Sequence, residues 1–467
     1  MTMKGIKGEV SLPLGGKREE ALLGAWVRVP KDAVNMALVE AQLRVKNAPY
    51  WMAEENDEDT GNLQPYVYLY REDDTFVYLP RHYSIKLLRN LPLRKLPFPA
   101  PQVGRLRSKY KPRNAMQEEA LEAFSGDADG LLCLSCGSGK TAVSIMSAAA
   151  GRKFPMLVIV HTTALMDQWR RELSKIYGIE PSEIGHIQGP ICVWKGKKVA
   201  VAMLQSLAFK EYSQEFFNYW RLVVIDEAHR ASSYHFGRVI YKFPGQRMAL
   251  TATPERPDGM EQVFRIHCGK IRYDYRKQAL DTEFIFVHTG ISYQNPPMKN
   301  PMKRIAKVMS AVSRDESRNA LIGKYLAACE KEGRRTIVLG DRTATLQILH
   351  DAYPGKDKSI FVGATHKRDR PAALAKAAIF ATSSMAKEGL DVPALDTLFI
   401  TIPFSSEGRL EQSVGRILRE HEGKLAPKTY VFVDNNSMLL RFVFRMKNWA
   451  ERKGYKVTDL YPGKSWL

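Results

Sequence analysis

Cysteine is scarce in this chain, with five residues in 467. So few, and an odd number, argue against a disulfide scaffold and for a reducing, cytoplasmic setting. Long apolar runs are missing too. No stretch approaches the roughly 18 uninterrupted apolar residues of a membrane span. The start, Met1-Thr-Met-Lys-Gly-Ile-Lys, is basic but has no apolar segment behind it, so no secretory signal is expected. Short tandem repeats and low-complexity tracts are absent. Acidic residues fall short of basic ones, 50 Asp plus Glu against 70 Lys plus Arg, a net charge of +20. That excess points to a polyanionic partner, a nucleic acid or an acidic membrane surface, and without a membrane segment nucleic acid is the expectation.

What is present is ordinary for a soluble globular protein. Hydrophobic residues make up 45% and charged residues 26%. At about 150 residues per domain, this length implies two to four domains.

The most informative segment is Leu134-Ser135-Cys136-Gly137-Ser138-Gly139-Lys140-Thr141. It follows the apolar run 130–133 and precedes the helix-like run 142–147. A strand feeding a glycine-rich turn and then a helix makes a phosphate cradle, because loop N–H groups and the helix N-terminus present positive charge to one point. Gly137 and Gly139 allow close backbone approach, Lys140 would reach the β- and γ-phosphates, and the Thr141 hydroxyl would ligate Mg²⁺. The general phosphate-loop pattern opens with glycine where this chain has Leu134. Cys133 and Cys136 form a C-x-x-C pair without a second pair downstream, so packing of small residues is favoured over zinc or redox chemistry.

Residues up to about 104 read as a small α+β module, in which 66–79 with Arg71, Arg81 and His82 would either face a DNA duplex or junction or pack on the core. Tyrosine-rich β-formers at 66–70 and 75–79 flank Arg71-Glu72-Asp73-Asp74, a hairpin signal. The acidic run 54–61 reads as a solvated loop, and proline-rich 91–101 reads as a linker. From about residue 105 apolar strands alternate with helical stretches: 130–133, 156–160, 199–203, 222–225 and 248–250, then 284–287, 336–339, 359–362, 378–381, 397–400 and 430–433. Continuous apolar runs between helices imply parallel sheets covered on both faces. The expected divisions are 1–104, 105–276 and 277–467, with a phosphate loop only in the middle one.

Three further groups carry chemistry. Asp226-Glu227-Ala228-His229 follows the apolar run 222–225, at the edge where parallel sheets face their ligands. Asp226 suits Mg²⁺ and Glu227 suits activation of a water; alone, the pair also reads as surface charge. Thr251-Ala252-Thr253-Pro254 follows another apolar run. Arg416 and Arg419 are three apart, so on a helix they share a face and would act as arginine fingers or as a plain ion-paired surface.

In order along the chain, Ser135 to Thr141, Asp226-Glu227-Ala228-His229, Thr251-Ala252-Thr253, Glu388-Gly389 with Asp391, and Gln412-x-x-Gly415-Arg416-x-x-Arg419 resemble the superfamily-two helicases with a DEAH box. Finer matches resemble the XPB-like and phage UvsW-like branch. They are Arg113 with Gln117; 158–162 ending at Thr162, followed by Gln168-Trp169; Gln205-Ser206; and 250–259 with Arg256. His161 stands where that branch usually has proline.

The resemblance implies an α/β fold of two tandem RecA-like doubly wound parallel-sheet lobes beside the small α+β N-terminal domain. It implies ATP and Mg²⁺, held by Arg113, Gln117, Gly137, Ser138, Gly139, Lys140, Thr141, Asp226, Gly389 and Asp391. Glu227, Gln412, Arg416 and Arg419 would serve hydrolysis, His229, Thr251 and Thr253 would couple it to movement, and Thr162, Gln205, Ser206 and Arg256 would touch the strand. The function implied is a monomeric 3′–5′ DNA helicase that unwinds or branch-migrates forked and Holliday-type DNA, in a prokaryotic or phage-infected cell. An RNA helicase, a duplex translocase that remodels bound proteins, and a scaffold with a decayed motor are the alternatives.

Overall fold

The computed structural model describes residues 21–46, 65–83, 93–95, 101–135, 137–228, 239–252, 261–275, 280–298, 300–366, 368–388 and 392–462. The chain divides into two compact units, Met1–Leu134 with Gly139–Arg276, and Lys277–Leu467 with Ser135–Ser138.

The first unit begins with a small sheet. Its strands are β1 (Ala21–Leu23), β2 (Val27–Pro30), β5 (Arg71–Glu72), β6 (Phe76–Leu79) and β7 (Leu93–Lys95), in the order β5-β6-β2-β1-β7; β3 (Arg44–Lys46) and β4 (Tyr66–Tyr68) pair separately. Two expectations are corrected here. The tyrosine run at 66–68 pairs with β3, and the hairpin is the shorter one between β5 and β6. Its turn is set by Asp73, whose carboxylate accepts the Thr75 and Phe76 N–H groups at 2.9 and 2.7 Å and so fixes the reversal after Glu72. The proline-rich 91–101 stretch also holds a strand: residues 93–95 lie between the prolines and occupy a sheet edge, parallel to β1. An edge tolerates neighbouring prolines because one side of the ladder has no partner to bond.

The larger sheet of this unit is built from β8 (Gly130–Leu134), β9 (Met156–Val160), β10 (Ile184–Gln188), β11 (Ile191–Val193), β12 (Val199–Met203), β13 (Leu222–Ile225), β14 (Gln246–Thr251) and β15 (Ile271–Tyr275). Their order is β11-β10-β12-β9-β13-β14-β8-β15, parallel except for β10 with β11. Successive residues of each strand feed opposite cores. Leu131, Leu157, Ile159, Val223 and Ile225 point to one face, while Leu132, Leu134, Met156, Val158, Leu222 and Val224 point to the other. Burial on both faces is why these strands read as unbroken apolar runs. Helices Ala115–Ala123, Lys140–Ala150 and Thr163–Tyr177 cover the second face. The first face packs in one core with Val27, Val29, Val39, Leu43, Val77 and Leu79 of the N-terminal module.

That module is tied to the large sheet by buried charge as well. Asp129, just before β8, accepts from Arg81 Nη1 at 3.1 Å and from the backbone N–H of Arg247 at 2.8 Å, and His82 Nε2 lies 3.0 Å away. Arg247 in turn donates to the Ala25 carbonyl at 2.7 Å, and the Trp26 ring lies 4.6 Å from Tyr241. Arg71 also donates to the Tyr241 hydroxyl. Arg71, Arg81 and His82 therefore dock the module onto the large sheet of this unit.

Burial alone would raise the Asp129 pKa, but the Arg81 charge, the His82 hydrogen bond and the Arg247 charge outweigh it and hold the carboxyl below its usual range. Its stabilisation is therefore complete above the ordinary Asp value of about 3.9 and is lost as pH falls towards the folded-state value. Asp129→Asn should cost about 3–5 kcal/mol in urea unfolding at pH 7, since it strands buried guanidinium charge. The gap from wild type should narrow below about pH 4.

The second unit carries β16 (Glu283–Ser292), β17 (Thr336–Gly340), β18 (Lys358–Phe361), β19 (Ala378–Thr382), β20 (Thr397–Ile400), β21 (Lys428–Asn435) and β22 (Val457–Leu460). They form one sheet in the order β18-β19-β17-β20-β21-β16-β22, every pairing parallel. Phe284, Phe286, Ile337 and Leu339 face one core and Ile285, Val287, Val338 and Phe380 the other, so this sheet is also wound on both sides. The α/β class with two doubly wound parallel sheets is thus present. Strands β10, β11, β15 and β22 escape the sequence pattern because they are short or outlying and are partly buried or, for β11, exposed.

Candidate nucleotide site and strand-contact elements

Strand order places the chemistry of the first unit. β13, β14 and β8 are consecutive neighbours, and their registers pair Ile225 with Ala249 and Thr251 with Cys133. Asp226, Thr251 and the loop after Leu134 therefore leave the sheet along one carboxyl edge, where open parallel sheets bind ligands.

Gly139 caps the helix Lys140–Ala150 at φ +88°, and Gly137 sits at φ +85°. Both lie in the left-handed region that side chains avoid. A Cβ on Gly139 would also come within 2.6 Å of Gln117 Nε2. Gln117 is buried, its Oε1 accepting the Arg113 N–H at 3.0 Å, while the Arg113 side chain is exposed. Lys140 Nζ donates to the Leu134 carbonyl at 3.0 Å, folded back over the loop it would leave to meet a phosphate. Ser135 and Ser138 hydroxyls lie 2.5 Å apart, and Thr141 is half-buried in the first helical turn.

Asp226 is buried at the end of β13. Its Oδ1 accepts the Glu227 N–H at 2.9 Å and its Oδ2 accepts Trp169 Nε1 at 2.7 Å. Burial and the adjacent Glu227 charge raise its pKa, with Trp169 and Lys140 opposing. A buried carboxylate crowded by a second one is relieved by a cation, and Mg²⁺ takes one or two carboxylates together with phosphates and waters. The residues fit that ion. Glu227 is half-buried with φ +49°, a backbone conformation costing a non-glycine residue about 1–2 kcal/mol. Ala228 N–H bonds the Leu250 carbonyl at 2.9 Å, joining the acidic segment to the one that carries Thr251, which is fully buried.

The part Trp169 plays has no signal in the sequence. Gln168-Trp169 is expected in a strand-touching element, but the indole is fully buried and bonds Asp226. Trp169→Phe keeps an aromatic ring and removes the donor. It should cost about 1.5–3 kcal/mol, the scale of a hydrogen bond to a charged group. It should also raise several-fold the Mg²⁺ concentration giving half-maximal ATPase, measured by titration.

The strand-contact candidates follow β9 and β12, adjacent strands of the same edge. Thr162 caps the helix Thr163–Tyr177, its hydroxyl accepting the Leu165 N–H at 3.3 Å. Gln205 is exposed and donates to the His161 carbonyl at 3.1 Å. Ser206 is buried and its hydroxyl accepts the Gly189 N–H at 2.9 Å, while Gln205 is the surface member of the pair. His229, Thr253, Arg256, Gly389 and Asp391 lie outside the described residues. Cys133 is buried in the core, packed as a small apolar residue would be.

In the second unit, Gln412 is buried and Arg416 half-buried on the helix Glu407–Ile417. The expectation that Arg416 and Arg419 share a helical face is corrected, because the helix ends at Ile417 and Arg419 sits in the bend after Leu418. Ile417 and Leu418 bury into the core there and turn the chain. Lys424 holds that bend, its ammonium donating to the Arg419 carbonyl at 2.6 Å and to the Pro393 carbonyl at 3.1 Å. Burial, aided by the Arg419 charge and opposed by Asp396, pushes Lys424 down to about 8. Asp341, at the end of β17, accepts from Ser383 at 3.0 Å and from Arg409 Nη1 at 3.2 Å, fixing the start of the Gln412 helix. None of Asp341, Arg409 and Lys424 stands out in the sequence, since single charged residues have no spacing signal.

The family model described as "Type III restriction enzyme, res subunit" matches residues 109–256. A protein of Acanthamoeba polyphaga mimivirus assigned as an ATP-dependent RNA helicase is 24% identical, over 85% of this chain and 78% of that one. The DNA 3′-5′ translocase XPB2 of Sulfurisphaera tokodaii is 29% identical, over 41% of this chain and 40% of its own. The DNA 3′-5′ helicase XPB of Kineococcus radiotolerans is 23% identical, over 73% and 63%. A solved structure of S. cerevisiae Dbp5 with RNA and ADP BeF3 has a TM-score of 0.53 at 14% identity, covering 76% of this chain and 90% of that one, and shares the fold.

Proposed function

We propose that this chain is an ATP-hydrolysing superfamily-two helicase of the XPB-like and UvsW-like branch, which moves 3′ to 5′ on DNA and unwinds or branch-migrates forks and junctions. One observation carries the nucleotide half of this reading: β8, β13 and β14 stand side by side and deliver Lys140, Asp226 with Glu227, and Thr251 to one sheet edge. In this reading Gly137 and Gly139 admit the triphosphate, Lys140 leaves the Leu134 carbonyl for a phosphate oxygen, and Glu227 orients and deprotonates the attacking water. Mg²⁺, held by Thr141 and Asp226, would neutralise charge on the β- and γ-phosphates. Gln412, Arg416 and Arg419 complete hydrolysis, and the Ala228–Leu250 bond passes the nucleotide state to the segment of Thr251.

The net charge of +20 supports a nucleic-acid track, and the DNA activities of the XPB relatives favour DNA. Phosphate contacts by lysine and arginine supply affinity without sequence preference. The mimivirus relative, assigned to RNA, favours the second reading. ATPase assays with DNA and RNA of equal length decide between them, and stimulation at least several-fold greater by DNA is expected. Strand displacement on forks and three- and four-way junctions with each tail polarity tests direction; equal unwinding from both tails would sink the 3′–5′ assignment.

A further inference from the structure

The helix Ser437–Arg452 has a face left over after packing. Its inner side, Leu439, Val443, Met446 and Trp449, is buried in the second unit. Its outer side borders an open groove of about 750 Å³ lined by Glu407, Leu440, Arg441, Phe444, Arg445 and Arg452, among others. Phe444 is 65% exposed and Leu440 39%, an unusual display of apolar surface on a helix that already has a core.

The charges on this helix divide into two groups. Lys447 pairs with Asp459 at 2.5 Å, Lys453 with Glu411 at 3.0 Å, and Arg452 with Glu407 at 2.5 Å. Arg441 and Arg445 are exposed, one turn apart, and pair with no carboxylate among the described residues. Glu407, the acidic residue lining the groove, is already neutralised by Arg452, so the groove presents net positive charge around a bare aromatic ring. Over 16 residues the helix runs about 24 Å at 1.5 Å per residue, long enough for several phosphates in a row.

We infer that this groove binds a segment of single-stranded nucleic acid outside the motor's own track, with Arg441 and Arg445 on phosphates and Phe444 stacked on a base. Stacking on an aromatic beside arginines is how sequence-tolerant strand binding is built. A groove for an acidic protein would need the arginines but not a projecting ring. A separated or displaced strand has both features the groove addresses. The inference rests on the nucleic-acid reading above.

The test uses the full chain without nucleotide, a fluorescein-labelled thymidine homopolymer, and anisotropy over a salt series. Arg441→Ala with Arg445→Ala should lower the slope of log K against log salt by about 1.4, at roughly 0.7 for each phosphate left without its arginine. Phe444→Ala should weaken binding about tenfold and leave that slope alone. DNA-free ATPase should match wild type in both variants, which checks the fold. Variant curves that overlay wild type would overturn the groove alone, and would be the result for a face used by an acidic protein. A wild-type ATPase indifferent to DNA strikes instead at the proposed track.

Discussion

Glu227→Gln should bind ATP and DNA as wild type does while hydrolysis slows by about 10²–10⁴-fold, the range for losing a positioned base. The substitution keeps the shape of a side chain whose backbone is held at φ +49° after a buried strand, so the segment should keep its conformation. Lys140→Ala is its companion and should abolish turnover by removing the ammonium that now rests on the Leu134 carbonyl. Equilibrium binding of a labelled nucleotide beside single-turnover hydrolysis separates the two effects. Near-normal DNA-stimulated turnover in Glu227→Gln would mean that another group activates the water.

Arg419→Ala should reduce turnover by about 10³–10⁵-fold, the scale of an arginine finger, with nucleotide affinity retained. Because Arg419 lies beyond the helix that carries Arg416, the two arginines are held by different means, one by a helix and one by a bend pinned through Lys424. Single substitutions should therefore differ, and Arg416→Ala is not a proxy for Arg419→Ala. Loss of ATP affinity without a rate defect would place Arg419 in binding only. The kcat and KM of each variant, measured with saturating DNA, decide this.

Much of this was legible in the chain because the signals are local. β8 could be read from 130–133 because both of its faces are buried, which forces an unbroken apolar run. The phosphate loop could be read because two glycines must reach positive φ next to a helix start. The tyrosines at 66–68 misled because β-propensity marks a strand without naming its partner, and the partner, β3, lies some twenty residues earlier across an acidic stretch. The Arg416–Arg419 spacing misled for a related reason: periodicity assumes the helix continues, whereas burial of Ile417 and Leu418 ended it.

Order along the chain was enough for the family resemblance, the phosphate loop, the acidic pair and the two alternating α/β blocks, because each depends on residues near one another in sequence. Folding was needed to establish that Trp169 steadies Asp226, that Arg81 and Arg247 bury themselves around Asp129, and that Ser206 turns inward. Those contacts join residues from tens to more than a hundred positions apart, and the closing of the sheet is what matches each buried polar group to its partner. A buried donor or acceptor must be satisfied somewhere, but the chain leaves open by whom until its layers close.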